Sequence, residues 1–317
     1  MRLSFLYFLE ELRTPVLDAF MSVITRLGEE TVFLAVAIFI FWCVNKYEGY
    51  YLMSIGLVGT VVNQFMKILC RIPRPWVLDP EFTIVESARE AATGYSFPSG
   101  HTQSAVATFG GIARWHKKPL VRIVCLIPVV LVPLSRMYLG VHTPLDVGVA
   151  FLTAAVLIFA VYPLIRRIQE KPRRMWWLLG GMLALSVAYV LFMELYSFPA
   201  DIDPHNLESA HKNAYTLCGA LLGLLPVWYL DSKYIHFETK AVWWAQLLKL
   251  IPGLLLVVGV KAALKAPLLA LCGGHDLGNL LRYFIIVVIA GAVWPLTFRF
   301  FSRLGQKKDT EYDELSN

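Results

Sequence analysis

Long apolar runs separated by short polar stretches dominate the chain, at residues 31–44, 52–62, 123–134, 147–162, 178–192 and 284–296. With their flanks, several reach the ~20 residues that an α-helix needs to cross the hydrocarbon core of a bilayer. That core holds no water to satisfy unpaired backbone groups, so spans of this length are expected to be helices. The pattern predicts nine spans, at about 31–46, 51–70, 101–115, 121–138, 144–165, 175–195, 212–230, 243–264 and 281–300. The expected fold is therefore an all-α, polytopic membrane helical bundle. Ahead of the first span, the apolar residues of 3–27 are broken by Glu10, Glu11, Arg13, Pro15, Asp18 and Arg26. A cleaved leader has a basic start and an unbroken apolar stretch; this segment reads instead as two short amphipathic helices in or near the interface. Pro199, Asp201, Asp203, Pro204 and Asn206 mark 197–212 as a loop between the first six spans and the last three. Three units follow: 1–29, 30–196 and 197–317.

Composition sharpens the class. Hydrophobic residues make up 57% of the 317 and charged residues 16%, against ~45–50% and ~25% in soluble domains. An ordinary soluble domain is excluded. The net charge of +6 is spread over short connections, and no long soluble basic segment exists to hold nucleic acid. Lys46, Arg114, Lys117, Lys118, Arg122, Arg166, Arg167, Lys171, Arg173, Arg174, Lys233, Lys240, Arg299, Arg303, Lys307 and Lys308 fall on one side of the predicted spans. The positive-inside tendency makes that side, and the C-terminus, cytoplasmic. Trp115, Trp176, Trp177, Trp228, Trp243 and Trp244 lie near the same ends, as an interfacial belt would. The five cysteines are scattered without a CxxC pair and read as buried free thiols.

Three polar clusters interrupt this apolar chain, all at the predicted outer side: Lys67 with Arg74-Pro75, Pro98-Ser99-Gly100-His101, and Ser135-Arg136 followed by His142 and Asp146. Ionisable residues in or beside spans are costly and are functional candidates by default. Their chemistry fits phosphoryl transfer, which needs stabilised equatorial oxygens and an in-line nucleophile. Lys67, Arg74 and Arg136 supply fixed positive charge, arginine as a planar fork. Ser99 is a natural N-cap, which would leave the N–H groups of Gly100, His101 and Thr102 facing an anion. His142 and Asp146 are four apart and can meet at a helix start. A carboxylate accepting one ring N–H leaves the other nitrogen free to attack phosphorus. His101 is then the acid for the departing oxygen and later the base for water. The basic residues do the electrostatic work, so no metal and no cofactor is required.

The three clusters resemble the signature K-x6-R-P, P-S-G-H and S-R-x5-H-x3-D of the type 2 phosphatidic acid phosphatase (PAP2) superfamily, without departure at any signature position. The resemblance implies a six-helix core with about three extra C-terminal transmembrane helices. It also implies Lys67, Arg74, Ser99, Gly100 and Arg136 on phosphate, His101 as acid, His142 as nucleophile and Asp146 as its partner. The nine-span layout looks more like the glucose-6-phosphatase and sphingosine phosphate phosphatase branches than the shorter bacterial lipid phosphatases. The expected activity is hydrolysis of a lipid phosphate or diphosphate through a phosphohistidine. A phosphotransferase acting on a lipid or glycan acceptor, or a non-enzymatic lipid-binding or transport protein, are the competing readings. Compact loops and the lack of a leader suit a bacterial cytoplasmic membrane, with the active site outside, and an endoplasmic reticulum protein would look similar.

Two further groups stand apart. His205, Glu208 and His211 are spaced three apart, unlike the i, i+4 histidine pair of zinc proteases, and read as a solvated loop. Lys261, Lys265 and Arg282 sit at predicted outer ends, against the positive-inside tendency. They are candidates for a secondary anion site, for a second phosphate or a lipid headgroup near the active site.

Overall fold

The structure, a computed structural model, describes residues 3–90 and 92–304. Lys307 and Lys308, and the tail that carries them, lie outside the described residues. Two short helices, α1 (Ser4–Glu11) and α2 (Pro15–Arg26), precede α3 (Glu30–Val44). Then come α4 (Lys46–Cys70), α5 (100–115), α6 (Pro119–Tyr138), α7 (Pro144–Glu170) and α8 (Met175–Leu195). The last three are α9 (Pro204–Leu230), α10 (Trp243–Leu271) and α11 (Leu277–Arg303). Among the described residues there is no strand.

Seven of these helices are long and apolar enough to cross a membrane, or eight if α2 and α3, bent by 48° at Gly28, form one broken span. The chain is an integral membrane protein. All nine predicted segments are helical, but 100–115 is too short to qualify as a span. It is interrupted by a π-turn at Val106–Gly110 and packs inside the bundle against α4, α6 and α7.

Local signals set the boundaries. Asn45 caps α4 by accepting from the N–H groups of Tyr47 and Glu48, at 2.9 and 3.1 Å. Proline stands in the first turn of α2, α6, α7 and α9, where its missing N–H costs nothing. The expected loop 197–212 is shorter than its composition implied. Asp203 accepts from the N–H of Asn206 at 2.8 Å, and Pro204 opens α9 there. The polar residues that read as loop are the first turns of a helix.

Two glycines four apart, Gly219 and Gly223, bring α11 close against α9, the small-xxx-small device of membrane helices. A Cβ at Gly219 would collide with the carbonyl oxygen of Leu280, and one at Gly223 would sit 3.0 Å from that of Phe284. Helix α9 also packs on α4 and α8, which ties the C-terminal helices to the rest of the bundle.

Two expectations need correction. Only Cys125 and Cys218 are buried, because Cys70 lies at an exposed helix end and Cys43 and Cys272 are half-buried. Trp228 belongs to the core rather than to an interfacial belt: it packs edge-on against Tyr50 and is 4% exposed.

Candidate active site

The C-terminal end of α6 and the start of α7 build the first side of the site. Gly140 ends α6 with φ +81°, a conformation that favours glycine, and a Cβ there would meet the Arg13 guanidinium at 2.7 Å. The tight exit leaves Arg136 in the last turn of α6 and His142 in the connection, outside both spans. Thr143 and Asp146 form a capping box at the start of α7. Its side chain–backbone bonds hold Asp146 fully buried under His142: the N–H of Thr143 donates to Asp146 Oδ2 at 2.7 Å.

The loop after α4 brings in the second side. Arg74 donates from Nε to the Gly94 carbonyl at 3.0 Å, from Nη2 to Thr93 O at 2.7 Å and from Nη1 to Val141 O at 2.9 Å. Nη1 is also 2.9 Å from His142 Nε2. Lys67 Nζ donates to Tyr95 O at 2.5 Å. The 93–96 segment is pinned in turn by the Ser96 N–H, which donates to Ile72 O at 2.8 Å.

His142 Nδ1 lies 3.5 Å from Asp146 Oδ2, beyond a good hydrogen bond. The Ser96 hydroxyl stands beside both: it donates to Asp146 Oδ2 at 2.6 Å and is 3.4 Å from His142 Nδ1. The expected His–Asp pair is thus supplemented by a serine. Burial, then the charges of Arg74, Arg136, Lys67 and His101, hold the His142 imidazole well below its ordinary pKa. A neutral ring with a free nitrogen lone pair is the form a nucleophile needs.

Helix α5 supplies the third side. Ser99 caps it by accepting from the Thr102 N–H at 3.3 Å, so that donor is taken and the N–H groups of Gly100 and His101 remain. The α2–α3 bend closes over this end: a Cβ at Gly28 would lie 2.7 Å from His101 O. Arg136 Nη1 donates to Thr25 Oγ1 on α2 at 2.8 Å, while its Nε and Nη2 are buried without a protein partner. His101 Nε2 is likewise buried and unpartnered. Orphaned buried donors beside a cavity are what an anionic ligand satisfies.

One cavity of about 230 Å³ is lined by Lys67, Arg74, Gly100, His101, Arg136 and His142 together. Ser99 and Asp146 stand behind that lining. Segments from three parts of the chain therefore converge on one space, with both imidazoles at its surface. Lys261, Lys265 and Arg282 do not line it, although the Lys261 charge acts on Glu30, which does. The two lysines are exposed on α10, Arg282 is buried on α11, and Lys261 and Arg282 share the ring of Tyr283 at 5.9 and 5.1 Å. His211 pairs at 3.5 Å with Glu194, and no group of three metal-ligating side chains occurs among the described residues.

Sequence reasoning missed Thr25, Ser96 and the cavity-lining Glu30, Asn63, Gln64, Asn206, Ser209 and Asn213. The Asp203-Pro204 helix start was the available signal for the last three, since it puts 206, 209 and 213 on one helical face.

The family model described as PAP2 superfamily matches residues 47–170, and that described as PAP2 superfamily phosphatase, transmembrane extension, matches 215–307. Sphingosine-1-phosphate phosphatase 1 of Mus musculus is 27% identical over 261 residues, 76% of this chain and 58% of the relative. Phosphatidylglycerophosphatase B of Bacillus subtilis is 30% identical over 181 residues, 51% of this chain and 80% of the relative. Undecaprenyl-diphosphatase BcrC of the same organism is 30% identical over 107 residues, 34% of this chain and 52% of the relative. The chain thus spans little more than half the length of the mouse protein. No solved structure matches it.

Proposed function

Since this chain belongs to the PAP2 superfamily, we propose that it is a membrane hydrolase that removes phosphate from a lipid phosphate or diphosphate, with His142 as nucleophile. One observation carries the reading: two imidazoles, two guanidiniums and an ammonium group line a single cavity whose buried donors include several without a protein partner. Lys67, Arg74 and Arg136 neutralise the phosphoryl oxygens, helped by the free N–H groups at the start of α5. His142 Nε2 forms a bond to phosphorus as the ester P–O bond breaks, and His101 gives its proton to the leaving oxygen. Water then attacks the phosphohistidine, His101 takes up a proton, the P–N bond breaks and inorganic phosphate leaves. No step calls for a metal, because three fixed cations supply the charge that a metal would otherwise bring. The names of the relatives, which give sphingosine 1-phosphate, a phosphatidylglycerophosphate and undecaprenyl diphosphate as their substrates, support a lipid substrate.

The basic residues at the ends of α5, α7 and α11 remote from the cavity favour an outward-facing site and a cytoplasmic C-terminus, as in a bacterial cytoplasmic membrane. The test uses purified protein in detergent with a chelator and no acceptor. Wild type should release inorganic phosphate from a lipid phosphate panel and carry an acid-labile phosphoryl group after rapid quenching. His142→Ala should lose at least about 10³-fold in kcat and the label with it. Release retained by that variant would remove His142 as the nucleophile.

A further inference from the structure

The cavity is larger and more varied than a phosphate requires. At about 230 Å³ it has room for the phosphate and several further heavy atoms. Beyond the cations its lining is mostly polar and uncharged, with Ile68 and Ala210 among its apolar members. Helix α9 contributes Asn206, Ser209 and Asn213, and α4 contributes Thr60, Asn63 and Gln64. The three α9 residues, at i, i+3 and i+7, form a ladder on one helical face. Their side chains make no hydrogen bond to another protein group among the described residues. Asn206 turns toward the site loop: a Cβ built on Gly94 would lie 3.8 Å from its Oδ1, and the Gly94 carbonyl is one of those that hold Arg74. Glu30, at the start of α3, is the one carboxylate in the lining. In a pocket for phosphate a carboxylate repels the ligand, unless the ligand carries a donor for it.

These residues have a telling position in the chain. Residues 204–214 fall between the two matched family segments, 47–170 and 215–307, and Glu30 precedes both. The phosphate cradle lies inside the first segment; the ladder lies in neither. The α9 ladder thus stands apart from the matched segment that carries the phosphate cradle, although Thr60, Asn63 and Gln64 of the same polar lining lie inside it.

The geometry points to a headgroup-reading subsite: Asn206, Ser209 and Asn213, with Glu30, accept hydrogen bonds from hydroxyl or ammonium groups on the carbons next to the phosphate-bearing carbon. This rests on the phosphatase reading and deepens it. A substrate with such donors satisfies the amide and carboxylate oxygens when water leaves. A phosphate attached directly to a saturated or prenyl chain brings hydrocarbon against them and leaves them unpaired. Glycerol-based and sphingoid-based phosphates share the donor chemistry. Glu30 separates them, because an ammonium group gains more from a carboxylate than a hydroxyl does.

The experiment measures kcat/KM of the full chain in detergent for three phosphates of matched eighteen-carbon chain length: octadecyl phosphate, stearoyl lysophosphatidic acid and sphinganine 1-phosphate. Wild type should favour each donor-bearing substrate over octadecyl phosphate by about tenfold or more, the scale of one or two buried hydrogen bonds. Asn206→Ala/Asn213→Ala should bring both ratios to within about threefold of one. Glu30→Gln should lower the ratio for sphinganine 1-phosphate and leave that for lysophosphatidic acid in place. Should the double variant lose turnover of every substrate, Ser209→Ala carries the same ratio test. Wild-type ratios near one, or ratios that survive in the ladder variants, overturn the subsite while leaving the phosphatase standing. An unchanged sphinganine ratio in Glu30→Gln removes Glu30 from it. Failure to release phosphate from any of the three overturns both readings.

Discussion

The carboxylate beneath the proposed nucleophile, His142, offers the most searching perturbation. Asp146→Asn keeps the size of the side chain and one oxygen that can accept from the Thr143 N–H, now 2.7 Å away. It removes the charge that this bond and the 2.6 Å bond from Ser96 share. Charged bonds are worth ~1.5–3 kcal/mol and neutral ones about half, so two of them weaken by roughly 2–3 kcal/mol in all. That loss should appear in thermal unfolding in detergent. Activity should fall further than stability. Without the anion the ring N–H on Nδ1 loses its charged partner, and the tautomer that leaves Nε2 unprotonated rests on the Arg74 contact alone. A loss of about 10³-fold in kcat, or ~4 kcal/mol of barrier, with little change in KM is expected for a nucleophile that is misoriented but whose phosphate cradle is intact. Ser96→Ala separates the two routes by which Asp146 reaches the ring. The direct Nδ1–Oδ2 distance is 3.5 Å, and Ser96 Oγ stands 3.4 Å from Nδ1. If the hydroxyl relays the carboxylate's hold on the ring, its removal costs about tenfold or more in kcat. The assay is steady-state phosphate release on the preferred lipid, with unfolding followed in parallel. Asp146→Asn turning over within about threefold of wild type would refute the argument that this carboxylate orients the nucleophile.

Other outcomes follow from the same geometry. The His142 pKa is depressed in the folded chain, so below the ordinary value of ~6.5 the unfolded chain binds a proton that the folded one refuses. Stability should therefore fall as pH drops below about 6.5, with a slope of up to ~1.4 kcal/mol per pH unit from this group, and unfolding measured on wild type and His142→Asn between pH 7.5 and pH 5 should show a shallower fall in the variant. At the α9–α11 crossing, a Cβ at Gly219 collides with backbone that cannot rotate away, so Gly219→Val should destabilise by about 3 kcal/mol or more; Gly148→Ala, with nothing within 4 Å of the added atom, is the matched control and should leave the unfolding temperature close to wild type.

The legible part of this protein was the part carried by short-range signals. Hydropathy located every long helix, because each span must be apolar over its whole length to sit in lipid. The three polar clusters stood out because each ionisable group near a span is an exception to that rule. Less legible were the residues whose role depends on distant partners. Ser96 is one small polar residue in a loop, and only the fold brings it between His142 and Asp146. Thr25 meets Arg136 across 111 positions of sequence. The start of α9 failed for a different reason. Its exposed face carries His205, Glu208 and Lys212, and this polar composition outweighed the Asp203-Pro204 signal. The same turns carry Asn206, Ser209 and Asn213 into the cavity, so a helix wet on one side and lining a polar pocket on another leaves only the narrow apolar stripe of Leu207, Ala210 and Ala214 to read.

The two arginines of the cradle are held in different ways, and the difference assigns them different work. Arg74 donates to three backbone carbonyls, at Thr93, Gly94 and Val141. Burying a guanidinium is costly unless its donors are met, and those carbonyls meet most of them before any substrate arrives. Arg74 is therefore fixed in place, a preorganised charge 2.9 Å from Nε2 of His142, the proposed nucleophile. Arg136 has one side-chain partner, Thr25, and keeps Nε and Nη2 buried and unmet. Its desolvation is offset only when an anion enters, which makes it a source of binding free energy rather than of position. The partner that anchors Arg136 sits on α2, the short amphipathic helix whose bend into α3 also seats Gly28 on the backbone of His101. The N-terminal helices are thereby coupled to one arginine of the cradle and to His101, the proposed acid.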